Sequence, residues 1–141
     1  MRGTWFCSEP GNTEFIVAKR ILIIDDSASV RRQVSGVLSP AGFQVIEAAD
    51  GVDGADRIRS QTDLALVICD VNMPRMNGLD MLDTLKGELA QRQLPVVMLT
   101  TEGQPEAMAR AKKSGAKGWI VKPFKEHLLL GAVQKLTQSG P

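Results

Sequence analysis

Five short, largely apolar stretches punctuate this sequence, and four of them are cut off by a polar residue. The central one, residues 64–69 (LALVIC), carries no charge and is rich in aliphatic and β-branched side chains. That composition is expected of a strand buried on both faces. It stops at Asp70, and Pro74 and Gly78 then mark a loop. Residues 21–24 run into Asp25-Asp26, residues 43–48 alternate as a second strand, residues 95–99 run into Thr100-Thr101, and residues 117–121 run into Lys122-Pro123.

The stretches between them have helical spacing. Ser27 is an N-cap candidate, followed by Val30, Val34, Val37 and Leu38 on one face, and Pro40-Ala41-Gly42 breaks that helix. Residues 51–59 give a weaker helix on Val52, Ala55 and Ile58, interrupted by Gly54. Leu79, Leu82, Leu85 and Leu89 define the third helix, residues 105–114 the fourth with Gly115 as its stop, and Leu128, Leu129, Ala132, Val133 and Leu136 the fifth. Strands alternating with helices imply right-handed crossovers and one parallel sheet, an α/β fold. A chain of 141 residues with 43% apolar content is long enough for one domain with a substantial core. Nothing suggests an internal repeat or a second domain.

The strand ends carry the chemistry. In a parallel sheet they share one edge, so Asp25, Asp26, Asp70, Thr100 and Lys122 can converge there, where open α/β sheets place their binding crevices. Three crowded carboxylates repel and resist ionising unless a cation joins them. Hard oxygen ligands in an open, hydrated site suit Mg²⁺. A metal, an ammonium and a hydroxyl beside a free carboxylate form a cradle for a phosphoryl group about to be attached to that carboxylate. Taken singly, each residue has an ordinary alternative: Asp26 or Asp70 as a cap, Thr100 as a loop hydroxyl, Lys122 as a solvated charge. It is the coincidence of all five at strand ends that argues for a site.

The motifs Asp25-Asp26-Ser27, residues 70–78 (DVNMPRMNG), Leu99-Thr100-Thr101-Glu102 and Lys122-Pro123-Phe124 resemble the receiver domain of two-component response regulators, over about residues 20–136. The run 114–124 is most similar to stand-alone chemotaxis regulators of the CheY type. The resemblance implies a flavodoxin-like (βα)5 sandwich with strand order 2-1-3-4-5, where periodicity alone reaches only a parallel α/β sheet. It implies Asp70 as phosphoacceptor, with Mg²⁺ held by Asp26, Asp70 and the Asn72 backbone carbonyl, and by Asp25 through water. Lys122 and Thr100 would contact the phosphoryl oxygens, and the Lys122–Pro123 bond would be cis. Thr100 and an aromatic, here Trp119 where many relatives have Tyr or Phe, would form the switch, though Trp119 reads equally as a packed aromatic at a strand end. The output face would be the fourth helix, fifth strand and fifth helix, with Arg110, Lys112, Lys113 and Lys117 either meeting an acidic partner or simply solvated.

The partners implied are a chemotaxis-type histidine kinase, a flagellar motor switch protein or other target, and a phosphatase. A formal net charge of +1 gives no electrostatic reason for nucleic acid or an anionic membrane as partner. No apolar stretch approaches the roughly 20 residues that span a bilayer, and no signal peptide pattern opens the chain. Two cysteines, Cys7 and Cys69, fit a reducing cytoplasm. Residues 1–18 lack a sustained period and read as an extension, though Trp5, Phe6, Phe15 and Ile16 could pack somewhere; residues 19–138 read as the receiver domain, with too little chain after it for an output module. His127 is expected in a surface or packing role. The function expected is signalling rather than enzymatic, as a motor effector or, alternatively, as a phosphorelay intermediate or phosphate sink. A phosphatase with an Asp nucleophile and Mg²⁺ would need an acid/base Asp two positions after Asp70, and Asn72 cannot shuttle a proton. A flavin-binding protein of the same topology would find Asp25-Asp26 repelling its phosphate.

Overall fold

The structure, a computed structural model, describes residues 18–101 and 104–138. The tail aromatics, Cys7 and Glu102 lie outside the described residues. The chain alternates strictly: β1 (Arg20–Ile24), α1 (Ala28–Leu38), β2 (Gln44–Ala48), α2 (Gly51–Ser60), β3 (Leu64–Cys69), α3 (Gly78–Arg92), β4 (Val96–Thr100), α4 (Pro105–Lys113), β5 (Gly118–Val121) and α5 (Glu126–Thr137). All strand pairs are parallel, in the order β2-β1-β3-β4-β5. This is the flavodoxin-like order expected. The chain reverses its direction of winding between β1 and β3, so the crevice beyond their carboxyl ends is the natural site.

Strand alternation divides the core in two. Leu22, Ile24, Val67, Cys69, Val96 and Met98 pack under α2, α3 and α4 through Ile58, Met81, Leu82, Leu85 and Ala111. Ile21, Ile23, Leu66, Ile68, Val97 and Leu99 pack under α1 and α5 through Val34, Leu38, Leu129 and Val133. Gly54, a weak point of α2 by propensity, sits close against β1: a Cβ there would lie 2.5 Å from Ile24 Cδ1, so the Ile24 side chain would have to shift.

Element ends differ from the sequence reading by a residue or so, for local reasons. Phe43 precedes β2 and packs instead against the α1/α5 core. Pro95 has no N–H to give the ladder and contributes only its carbonyl, which accepts from Val67. Ser114 caps α4, and Gly115 follows with φ 105°. Among the described residues no helix is long and apolar enough to cross a membrane.

Candidate functional site at the carboxyl edge of the sheet

The buried strands β1 and β3 deliver their first polar residues side by side. The Asp70 amide donates to the Ile24 carbonyl at 2.9 Å, locking the two strand ends together. Asp25, Asp26 and Asp70 each present a carboxylate oxygen there, and these oxygens lie within 4.8 Å of one another. Asp25 is fully buried, Asp70 is 5% exposed and Asp26 faces solvent. The structure thus separates two adjacent aspartates by one peptide's alternation.

Lys122 reaches in from the end of β5. Its Nζ donates to Asp25 Oδ2 at 3.0 Å and to Asp70 Oδ2 at 3.3 Å. Its amide donates to the Thr100 carbonyl at 2.8 Å, and the Lys122–Pro123 peptide is cis, as the resemblance implied. Thr100 is fully buried at the end of β4. Asn72 is exposed two residues beyond Asp70, and its amide donates to Asp70 Oδ1 at 3.4 Å.

Burial pushes the Asp25 carboxyl above the usual carboxylate range and the Asp70 charge adds to the rise, against the Ser27 amide and Lys122, which pull it down. For Lys122 burial acts downward, but the bonds and charges of Asp25 and Asp70 outweigh it and hold the ammonium up. The two directions are reconciled by counting charge. Three carboxyl groups share one ammonium, so Lys122 is held charged while Asp25 is compensated only in part. A divalent cation with oxygen preference fits that deficit. Burial also drives the Cys69 thiol upward, so Cys69 is an inert apolar filler beneath the site.

Trp119 lies opposite Met98 in the β4–β5 ladder, on the same face as Thr100 by strand alternation. Its half-buried ring packs against the core under α4, near Met108 and Ala111, and its buried indole N–H has no acceptor among the described residues. His127 is exposed in the first turn of α5.

Three supports escaped the sequence reading. Arg31 on α1 donates to the Asp25 carbonyl at 2.5 Å and to Glu47 at 2.8 Å, tying the β1–α1 turn to β2. Asp50 caps α2, accepting from the Asp53 amide at 2.9 Å, a role signalled only by its place before Gly51. The same carboxylate takes two bonds from Arg75 of the β3–α3 loop, for which the sequence carries no signal. Beside Lys122, a groove of about 500 Å³ is lined by Val30, Gln33, Thr101, Pro123 and Phe124. An apolar recess of about 400 Å³ between α3 and the α4–β5 turn contains none of the site residues.

Residues 21–134 match the family described as response regulator receiver domain. The chain is 36% identical over 111 residues to the chemotaxis protein CheY1 of Helicobacter pylori, covering 78% of this chain and 90% of that one. Its fold superposes on the chemotaxis protein CheY4 of Vibrio cholerae with a TM-score of 0.78 and 37% identity, covering 85% of this chain and 99% of that one. It superposes on the receiver domain of a signal transduction histidine kinase from Syntrophus aciditrophicus with a TM-score of 0.76 and 34% identity, covering 86% and 91%. By the match over most of its length, the chain belongs to the response regulator receiver domains.

Proposed function

We propose that this chain is a phosphoacceptor response regulator of a two-component system serving chemotaxis, which takes a phosphoryl group from a histidine kinase onto Asp70 and signals through its α4–β5–α5 face. Residues 19–138 form the receiver domain and residues 1–18 an extension outside it. The observation that carries the reading is the meeting of Asp25, Asp26 and Asp70 with Lys122 on one rim, with an uncompensated negative charge that matches a divalent cation. Similarity to the CheY proteins supports the chemotaxis assignment.

Receiver domains bind Mg²⁺ at an acidic pocket, and here Asp26, Asp70, the Asn72 carbonyl and Asp25, the last through water, would hold it. When bound, Mg²⁺ supplies positive charge against the transferring phosphoryl oxygens. The chain's own residues do the remainder. Asp70 presents an oxygen to phosphorus in line with the leaving imidazole; a P–O bond forms as the P–N bond breaks, and a carboxylate nucleophile brings no proton to be abstracted. Lys122 neutralises charge on the group as it arrives, and the Thr100 hydroxyl bonds one of its oxygens. The groove flanked by Val30, Pro123 and Phe124 opens beside Lys122 and suits the approach of a histidine-bearing partner segment. Thr100 and Trp119, on one face of neighbouring strands, form the element the phosphate biases. Hydrolysis, spontaneous or aided by a phosphatase partner, resets it.

On this reading the protein is a cytoplasmic signalling protein rather than an enzyme, with a flagellar switch protein or other protein as target. A phosphorelay intermediate or phosphate sink is the second reading, favoured by the likeness to the receiver domain of a histidine kinase. Incubation with a phosphorylated chemotaxis-type histidine kinase and Mg²⁺ tests the assignment. Label is expected to move from the kinase to this chain and to be absent from Asp70→Asn; transfer to that variant at the parent's rate would refute it. Capture of a flagellar switch protein by the phosphorylated form alone separates effector from sink.

A further inference from the structure

The β3–α3 loop is fastened from outside the site. Arg75 stands at φ 66°, and the Met76 amide donates to the Pro74 carbonyl at 2.7 Å. Arg75 is therefore the middle residue of a three-residue turn of the strained, positive-φ kind. Three bonds cross from this turn to the start of α2. Arg75 Nε and Nη2 donate to Asp50 Oδ2 and Oδ1 at 2.8 and 3.0 Å, and the Gly51 amide donates to the Met76 carbonyl at 3.2 Å. The approach is close enough that a Cβ on Gly51 would lie 2.2 Å from that carbonyl oxygen. The Asp50 side chain is only 11% exposed, so one carboxylate caps α2 and grips the loop at once.

Asn72 sits three residues before Arg75 on the same loop, and the bond from its amide to Asp70 is long, at 3.4 Å. Local bonding at Asn72 itself is thus weak, while the turn just beyond it is fastened. We infer that the Asp50–Arg75 pair is a positioning device, which holds the strained turn and through it the Asn72 carbonyl where a divalent cation binds; this rests on the reading of the site as a Mg²⁺-assisted phosphoacceptor. The two-pronged geometry is what Arg supplies and Lys cannot, since a guanidinium meets both carboxylate oxygens in one plane. The Arg75 side chain is 59% exposed, so the pair adds little to global stability. Its effect should appear in cation affinity.

Titration calorimetry with MgCl2 on the full chain, beside thermal unfolding in chelator, tests this with Arg75→Ala, Arg75→Lys and Asp50→Asn. Asn keeps the cap acceptor at α2 while losing the charge, so Asp50→Asn separates latch from cap. All three are expected to weaken Mg²⁺ binding by about threefold to tenfold, as loss of an outer-shell support does. Melting in chelator should move by no more than about 2 °C, and phosphorylation at saturating Mg²⁺ should return to within about twofold of the parent. Parent-like Mg²⁺ affinity in both Arg75 variants would overturn the inference. So would weakened affinity accompanied by a large drop in melting temperature, the mark of a merely structural pair. A parent chain that fails to bind Mg²⁺ at all would instead remove the reading of the site itself.

Discussion

Replacing Gly78 by alanine should disable the site from behind. Gly78 opens α3, and its amide donates to the Val71 carbonyl at 2.8 Å, closing the loop that follows Asp70. A Cβ at this position would stand 2.1 Å from the Asp70 carbonyl oxygen and 3.0 Å from Cys69 Sγ. Contacts under 3.0 Å are essentially never made by real Cβ atoms, and the atom in the way is backbone, so Asp70 or the loop must give by about 0.9 Å. Overpacking of this kind costs about 1–3 kcal/mol, while the helical preference of Ala over Gly returns at most about 1 kcal/mol. Because the obstacle is backbone, the steric cost falls in the upper part of that range, leaving a net loss of about 1–2 kcal/mol and a fall in melting temperature of about 3–10 °C. The displacement falls on the nucleophile, and a misplacement near 1 Å can reduce a rate by about 10²-fold. The assay is the initial rate of phosphorylation by acetyl phosphate at saturating Mg²⁺, with melting followed in parallel. Gly87 is the control: it lies in the same helix with nothing within 4 Å of a Cβ. Gly87→Ala should stabilise by about 0.5–1 kcal/mol and leave the rate unchanged. A Gly78→Ala protein that melts and phosphorylates like the parent would refute the reasoning.

Asp25→Asn should raise the melting temperature in chelator, since burial and the neighbouring Asp70 charge disfavour the carboxylate, and should weaken Mg²⁺ binding by about tenfold in calorimetry. The sign with pH follows: a carboxyl raised in the fold favours the folded state as pH falls toward its titration, so the parent's stability deficit relative to Asn should shrink on mild acidification. Asp83 works in the opposite sense. The Ser114 hydroxyl and then the Arg110 guanidinium hold its carboxyl below the usual range, joining α3 to α4. That stability is present above the ordinary carboxylate value and lost as pH drops through the lowered one, so Asp83→Asn should lower the neutral-pH melting temperature by a small, salt-sensitive amount and flatten its acid decline.

Much of this architecture can be read in the residues themselves. Uncharged runs such as LALVIC announce buried parallel strands, and the polar residue ending each run announces the rim. Strand order is different, because periodicity in Ile21–Ile24 or Val96–Leu99 says nothing about which strands are neighbours; the order came from the family resemblance. Which of two adjacent aspartates is buried was equally hidden, since it depends on where the turn after Ile24 leaves the sheet. Arg31 reaching the Asp25 carbonyl, and Asp50 gripping Arg75 across 25 positions, are tertiary contacts that no local sequence pattern announces. The indole N–H of Trp119 without an acceptor is likewise a property of packing.

The central claim is that negative oxygens gathered at the ends of β1 and β3 ready Asp70 to receive a phosphoryl group. Intact-mass analysis after incubation with Mg²⁺ and acetyl phosphate tests it most directly. One added phosphoryl group is predicted on the parent, dependent on Mg²⁺ and absent from Asp70→Asn. Addition of the same mass to Asp70→Asn, or none to the parent at saturating Mg²⁺, would contradict the account.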